Sequence, residues 1–154
     1  MIRRLRTLLC DERGNSFIEM ALVTPVFASL LVGMVDISRA VSSKVTVEQA
    51  AQRGIERAQA TDFKTSQLGD LEDDAEAAAG TGSQATADAW LECNHDGVHL
   101  DYDTGVCGTG ANYARYVRVR ITNSFTPIFG TRFFPGANSN GTVTVGGQAT
   151  VRTQ

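Results

Sequence analysis

The chain has 154 residues, a formal net charge of −3 and 15 glycines. Beyond its first 40 residues about 110 remain, which is enough for one small domain. Removing residues 1–14 takes away four arginines and two acids and leaves 10 basic against 15 acidic residues, an acidic balance that argues against nucleic-acid binding, which calls for a basic patch.

The organising stretch is Gly14 to Ile37, GNSFIEMALVTPVFASLLVGMVDI. From Phe17 to Ile37 it is apolar except for Glu19, Thr24, Ser29 and Asp36. Such a run is long enough to cross a bilayer core as one helix, since crossing takes about 20 residues. Arg3, Arg4, Arg6 and Arg13 precede it, against Asp11 and Glu12. The arginines predict a cytoplasmic N-terminus and an exported remainder. A secretory signal peptide would have a shorter apolar core followed by an A-x-A-like cleavage site. Ala28-Ser29-Leu30 does not serve, because the apolar run continues past it. The segment therefore reads as a retained single span. Glu19 lies near its start, where a charge costs roughly 2–3 kcal/mol by insertion scales, so this carboxylate needs a reason.

The helical pattern continues without a break through residues 38–60. Val47, Ala51, Gly54, Ile55 and Ala58 recur at spacings of three or four and form one apolar stripe. Lys44, Glu48, Gln52, Arg53, Glu56 and Arg57 occupy the other side. The stripe needs a cover, either the chain's own domain or another subunit, and the first is the commoner arrangement. Its small residues favour close approach.

Leu68, Leu71, Ala75 and Ala78 predict a short helix with an acidic, solvated face of Asp70, Glu72, Asp73, Asp74 and Glu76. Gly80 to Ser83 ends it. Thr86 to Glu92 is expected to form another short helix with Trp90 and Leu91 inward. Residues 93–114 are turn-rich and are expected to contain a short hairpin held by cysteines. Val117, Val119 and Ile121 alternate with Arg118, Arg120 and Thr122, the clearest strand signal in the chain. Residues 125–140 read as an aromatic loop, and Thr142 to Arg152 as a second strand with a bulge at Gly146-Gly147. The two strands are expected to pair antiparallel. The fold class is thus α+β: a long N-terminal transmembrane and amphipathic helix packed on a small antiparallel sheet. The predicted divisions are a basic leader over 1–14, a transmembrane helix over 15–37, its continuation over 38–60, and a small exported domain over 61–154.

Of the three cysteines, Cys10 falls on the predicted cytoplasmic side and Cys93 and Cys107 on the exported side, where disulfides persist. A Cys93–Cys107 disulfide is the expectation on compartment grounds, with free thiols or metal ligands as the alternative. Cys93, His95, His99 and Cys107 lack the paired-knuckle spacing of a zinc site. Asp101-Tyr-Asp103-Thr-Gly105 lacks the following glutamate of a calcium loop and reads better as turn-forming acids. No phosphate loop, H-E-x-x-H motif or Ser-His-Asp order is present, and both histidines lie in one loop. The expectation is a non-enzyme without cofactor or bound metal. Phe125, Phe129, Phe133 and Phe134 are either core under a long loop or a partner-binding patch.

Gly14-Asn-Ser-Phe-Ile-Glu19-Met-Ala-Leu-Val-Thr-Pro25, followed by Asp36-Ile-Ser-Arg39-Ala40 and Gln49-Ala-Ala51-Gln-Arg53-Gly54, resembles the N-terminal signature of the TadE-like proteins. Phe125-Thr-Pro-Ile128 between two strands is also in that family's style. Met20 departs from it, where an aromatic usually follows the glutamate. The resemblance implies a pilin-like component of a Tad (type IVc) pilus: a minor pilin or pseudopilin that takes part in assembly, priming or capping and so in surface adherence. It implies cleavage between Gly14 and Asn15 by a prepilin-type peptidase. The new amine of Asn15 would then lie one turn from Glu19, the carboxylate expected to guide processing or docking. The implied partners are the major Flp-type pilin, other minor pilins, the Tad assembly platform and the bilayer. The implied location is the inner membrane, with a periplasmic C-terminal domain that reaches an extracellular pilus on assembly. Two readings compete with this one. In the first, Glu19 merely snorkels to the cytoplasmic surface. In the second, the chain is a permanently anchored periplasmic ligand-binding domain outside any filament.

Overall fold

The computed structural model describes residues 15–60, 62–128 and 137–153. Helix α1 runs over Asn15–Ala60, 46 residues, or about 70 Å at 1.5 Å per residue. It passes unbroken through Pro25, which has no N–H to offer the preceding turn. Two hydroxyls bond nearby carbonyls: Thr24 Oγ1 donates to Met20 O at 2.6 Å, and Ser29 Oγ to Val26 O at 2.8 Å.

A 3₁₀ turn over Thr65–Gln67 leads into helix α2, Leu68–Ala79. Three strands follow: β1 over Gln84–Cys93, β2 over Tyr113–Phe125 and β3 over Val143–Arg152. They form one antiparallel sheet in the order β1-β2-β3. The architecture is the expected α+β arrangement of one long helix on a small sheet.

The C-terminal half of α1 lies on one face of the sheet with α2 beside it. Val47, Ala51, Ile55 and Ala58 of α1 join Leu71 and Ala75 of α2 and Val117, Val119 and Ile121 of β2 in the core. The small-residue stripe is therefore covered by the chain's own domain. Two glycines set how closely the layers approach. A Cβ on Gly54 would lie 3.1 Å from the Leu71 carbonyl oxygen and 3.2 Å from Ala75 Cβ. A Cβ on Gly147 would lie 2.7 Å from the carbonyl carbon and oxygen of Val47, so helix and strand meet backbone to backbone.

The structure corrects three expectations. Thr86 to Glu92 is strand, not helix: β1 pairs with β2 from Gln84↔Thr122 to Cys93↔Tyr113. Ala85, Ala87 and Ala89 are good helix formers, but each sits opposite a core residue of β2 (Ile121, Val119 and Val117) and packs against the same core. Burial across the sheet overrides a weak local preference. By the same alternation Trp90 is on the outer face rather than inward, stacked on His99 and Tyr116 with Arg118 over its ring. There is also no bulge at Gly146-Gly147, where the β2–β3 register runs on through Thr122↔Gly146 and Ile121↔Gly147. These glycines answer to helix packing, not to an irregular ladder.

The acidic run on α2 is not a purely solvated face. Glu76 accepts the backbone N–H of Ala85 at 2.8 Å, and Glu72 that of Ala87 at 2.7 Å. Further along, Leu91 and Leu100 exchange both backbone bonds. These contacts occupy much of the outer edge of β1, a row of groups that would otherwise invite another strand. Arg57 ties α1 to α2 through Asp74 at 2.8 Å and Asp70 at 3.4 Å. The hydrogen bond and charge of Asp74, with Asp70 behind it, hold the guanidinium further toward its charged form.

Candidate membrane and assembly site

The N-terminal half of α1 stands apart from the domain. Phe17, Met20, Leu22, Phe27, Leu31 and Met34 are all exposed. This is the helix, among those described, that is long and apolar enough to cross a membrane, and none of its apolar window is buried within the chain. A face that is apolar all round and covered by nothing is stable in lipid, not in water. The arrangement is compatible with a single-pass membrane anchor.

Asn15 is the first residue of α1, and Glu19 follows one turn later with its side chain exposed. An i,i+4 spacing on a continuous helix places the two on one face. Gly14, the other half of the expected cleavage site, lies outside the described residues.

At the far end of the apolar stretch Asp36 is 1% exposed. Its Oδ1 accepts the backbone N–H of Ile128 at 2.9 Å, and the Arg39 guanidinium lies 3.8 Å away, one turn on. A carboxylate can be buried there because hydrogen bonding and a counter-charge replace its water. The role of Asp36 as an anchor for residue 128 was not legible from residue order. The available signal was an acid closing an apolar run three residues before an arginine. Phe125 is half-buried at the end of β2. Phe129, Phe133 and Phe134 lie outside the described residues, so the choice between core and interface falls on Phe125 alone.

The cysteine loop is remote from this end. Cys93 closes β1 and is bonded to Cys107, with Cα atoms 5.7 Å apart and a sequence separation of 14. Asn94 N–H bonds the Asn112 carbonyl at 2.7 Å and Asn112 N–H the Asn94 side chain at 2.9 Å, so the β1–β2 connection is pinched at its base. Of the four candidate zinc ligands, both sulfurs are in the disulfide and His99 stacks on Trp90 at 4.5 Å. Asp101 Oδ1 accepts the hydroxyl and the N–H of Thr104 and the N–H of Asp103, bonds that hold its carboxyl below the ordinary aspartate value. Closing a 15-residue loop is worth about 3 kcal/mol in the chain-entropy model. Replacing both cysteines by alanine is expected to lower the urea midpoint accordingly. Non-reducing peptide mapping of the purified protein should recover the linked pair, and two alkylatable thiols would contradict the bond.

Among the described residues, one helix long and apolar enough to cross a membrane runs directly into a small α+β domain, the architecture of a helix-plus-head protein. Residues 14–55, the apolar half of α1 and most of its continuation on the domain, match the family model described as TadE-like protein. No curated protein and no solved structure matches the chain.

Proposed function

We propose that the chain is a minor pilin or pseudopilin of a Tad-type pilus, a non-catalytic subunit that takes part in assembly, priming or capping and so in surface adherence. The observation that carries this reading is the extent of the family match. Residues 14–55 run from the glycine before α1, through Glu19 and the exposed apolar half, into the half that packs on the sheet. A subunit that must first reside in a bilayer and then leave it for a filament needs a folded head rigidly joined to an apolar helix. The unbroken α1 fits that need. The arginines of residues 1–14 support a cytoplasmic N-terminus and a periplasmic domain, and the disulfide suits that compartment.

Cleavage after Gly14 by a prepilin-type peptidase is part of the proposal. A residue without a side chain lets a membrane-embedded peptidase reach the backbone, and the product places a free amine one turn from Glu19. The intact mass of native protein is expected to lack residues 1–14. Gly14→Leu is expected to block the shift to the smaller size on co-expression with the peptidase, as read by immunoblot. An unprocessed native mass would favour a permanently anchored domain instead. Co-purification with the major pilin and the assembly-platform proteins tests the partners directly.

A further inference from the structure

The place where α1 leaves its apolar stretch is also where β2 returns to it. The 21 residues from Phe17 to Ile37 span about 30 Å as a helix, the thickness of a bilayer hydrocarbon core. With Phe17 at one boundary, Asp36 and Ile37 sit at the other. The bond from Ile128 N–H to Asp36 brings the end of β2 to that same height. Pro127 is buried there, whereas Ile128 is 61% exposed. Val35 and Ile37, on either side of Asp36, are 48% and 60% exposed.

We propose that the Pro127–Ile128 corner is a second membrane contact. It seats in the outer-leaflet interface of the bilayer that α1 spans, and Asp36 holds it at that depth. The inference rests on α1 being a membrane span. Lipid is the occupant the observations favour, because the bond to Asp36 sets the exposed Ile128 at the end of the apolar stretch, at the height where Val35 and Ile37 are also exposed. For a tethered head the bilayer is already present at high effective concentration, so a small apolar contact suffices. The consequence is orientation. A single helix leaves its head free to tilt and roll, since tilt is set by packing and interfacial anchors. A second contact off the helix axis fixes which face of the domain is presented to other subunits.

The test uses the full chain with Cys10→Ser, and non-reducing peptide mapping of each variant verifies that the Cys93–Cys107 bond is kept and the introduced cysteine is the free thiol. Ile128→Cys, Val106→Cys and Phe27→Cys are each labelled with a polarity-sensitive fluorophore. The protein is placed one chain per disc in phosphatidylethanolamine–phosphatidylglycerol nanodiscs carrying nitroxide lipids, shallow or deep. Val106 is 84% exposed and lies in the loop that leads into the start of β2, a 13-residue strand about 40 Å long whose other end leads to Ile128. Phe27 is expected to be quenched by deep nitroxide. Ile128 is expected to be blue-shifted and quenched by shallow nitroxide, and Val106 to show neither effect. Asp36→Ala should move the Ile128 signal toward that of Val106, while Asp36→Asn, which keeps an acceptor oxygen, should preserve it. Unchanged Trp90 emission certifies the fold of each variant. An Ile128 label that behaves like Val106 while Phe27 is quenched overturns the inference and leaves the span intact. Loss of quenching at Phe27 as well overturns the span itself. A blue shift at Ile128 without nitroxide quenching, seen only with several chains per vesicle, overturns lipid in favour of a second copy. Quenching at Ile128 that survives Asp36→Ala overturns the holding role of Asp36.

Discussion

Gly147→Ala is expected to destabilise the α+β domain by about 2 kcal/mol, on the order of 10 °C in melting temperature for a domain of this size. The reason is the absence of room at one point. An added Cβ would stand 2.7 Å from the carbonyl carbon and oxygen of Val47 and 2.8 Å from the amide nitrogen of Glu48. All three are backbone atoms of α1, so no side chain can rotate away. The helix must lift off the strand, and it carries Val47, Ala51 and Ile55 out of the core that they share with Val119 and Ile121. Gly146 supplies the control from the neighbouring position. A Cβ there meets only the Ile121 carbonyl oxygen and the Thr122 methyl, both at 3.6 Å, an ordinary contact distance. Gly146→Ala should therefore melt close to the native protein. Thermal unfolding of the full chain in detergent, followed through the single tryptophan, makes the comparison. Equal melting of the two variants would mean that helix and strand do not meet backbone to backbone at Gly147.

Glu19→Ala is expected to abolish pilus assembly while leaving insertion and cleavage intact. Removing a charge from the start of a span eases insertion. The scissile bond of the proposal lies between Gly14 and Asn15, one turn before the substitution, so processing should continue. What is lost is a partner for the new amine of Asn15. In a poorly hydrated setting an unpaired charge is costly, and association that buries it becomes unfavourable. Glu19→Asp should recover little, because its carboxylate is one methylene short. Glu19→Gln keeps shape and some hydrogen bonding without charge, and separates electrostatics from packing. Pilus counts and crosslinking to the major pilin are the measurements. Normal piliation and normal crosslinks in both the Ala and Gln variants would reduce Glu19 to a side chain that snorkels to the surface.

Residue order alone determined the elements whose signal is local. The apolar run from Phe17 to Ile37, its unbroken continuation and the stripe Val47–Ala51–Ile55–Ala58 are periodic over many turns, and α1 is the helix they describe. Val117, Val119 and Ile121 alternate cleanly and form β2. The TadE-like signature also lies in one contiguous stretch, which is why it was legible before any fold was known.

Tertiary structure decided what depends on partners distant in the chain. Residues 84–93 are strand because β2 needs a neighbour and the alanines fit beneath it, although the same alanines favour helix locally. Glu72 and Glu76 occupy the edge of that strand, a role no acidic run announces. Gly147 is demanded by a helix 100 residues earlier in the chain, and a glycine in a strand does not say what approaches it. Asp36 holds residue 128 across 92 positions of sequence. Periodicity reports which face of an element is apolar. Only the packed chain reports which atoms lie against that face, because contact distance and hydrogen-bond direction are properties of pairs.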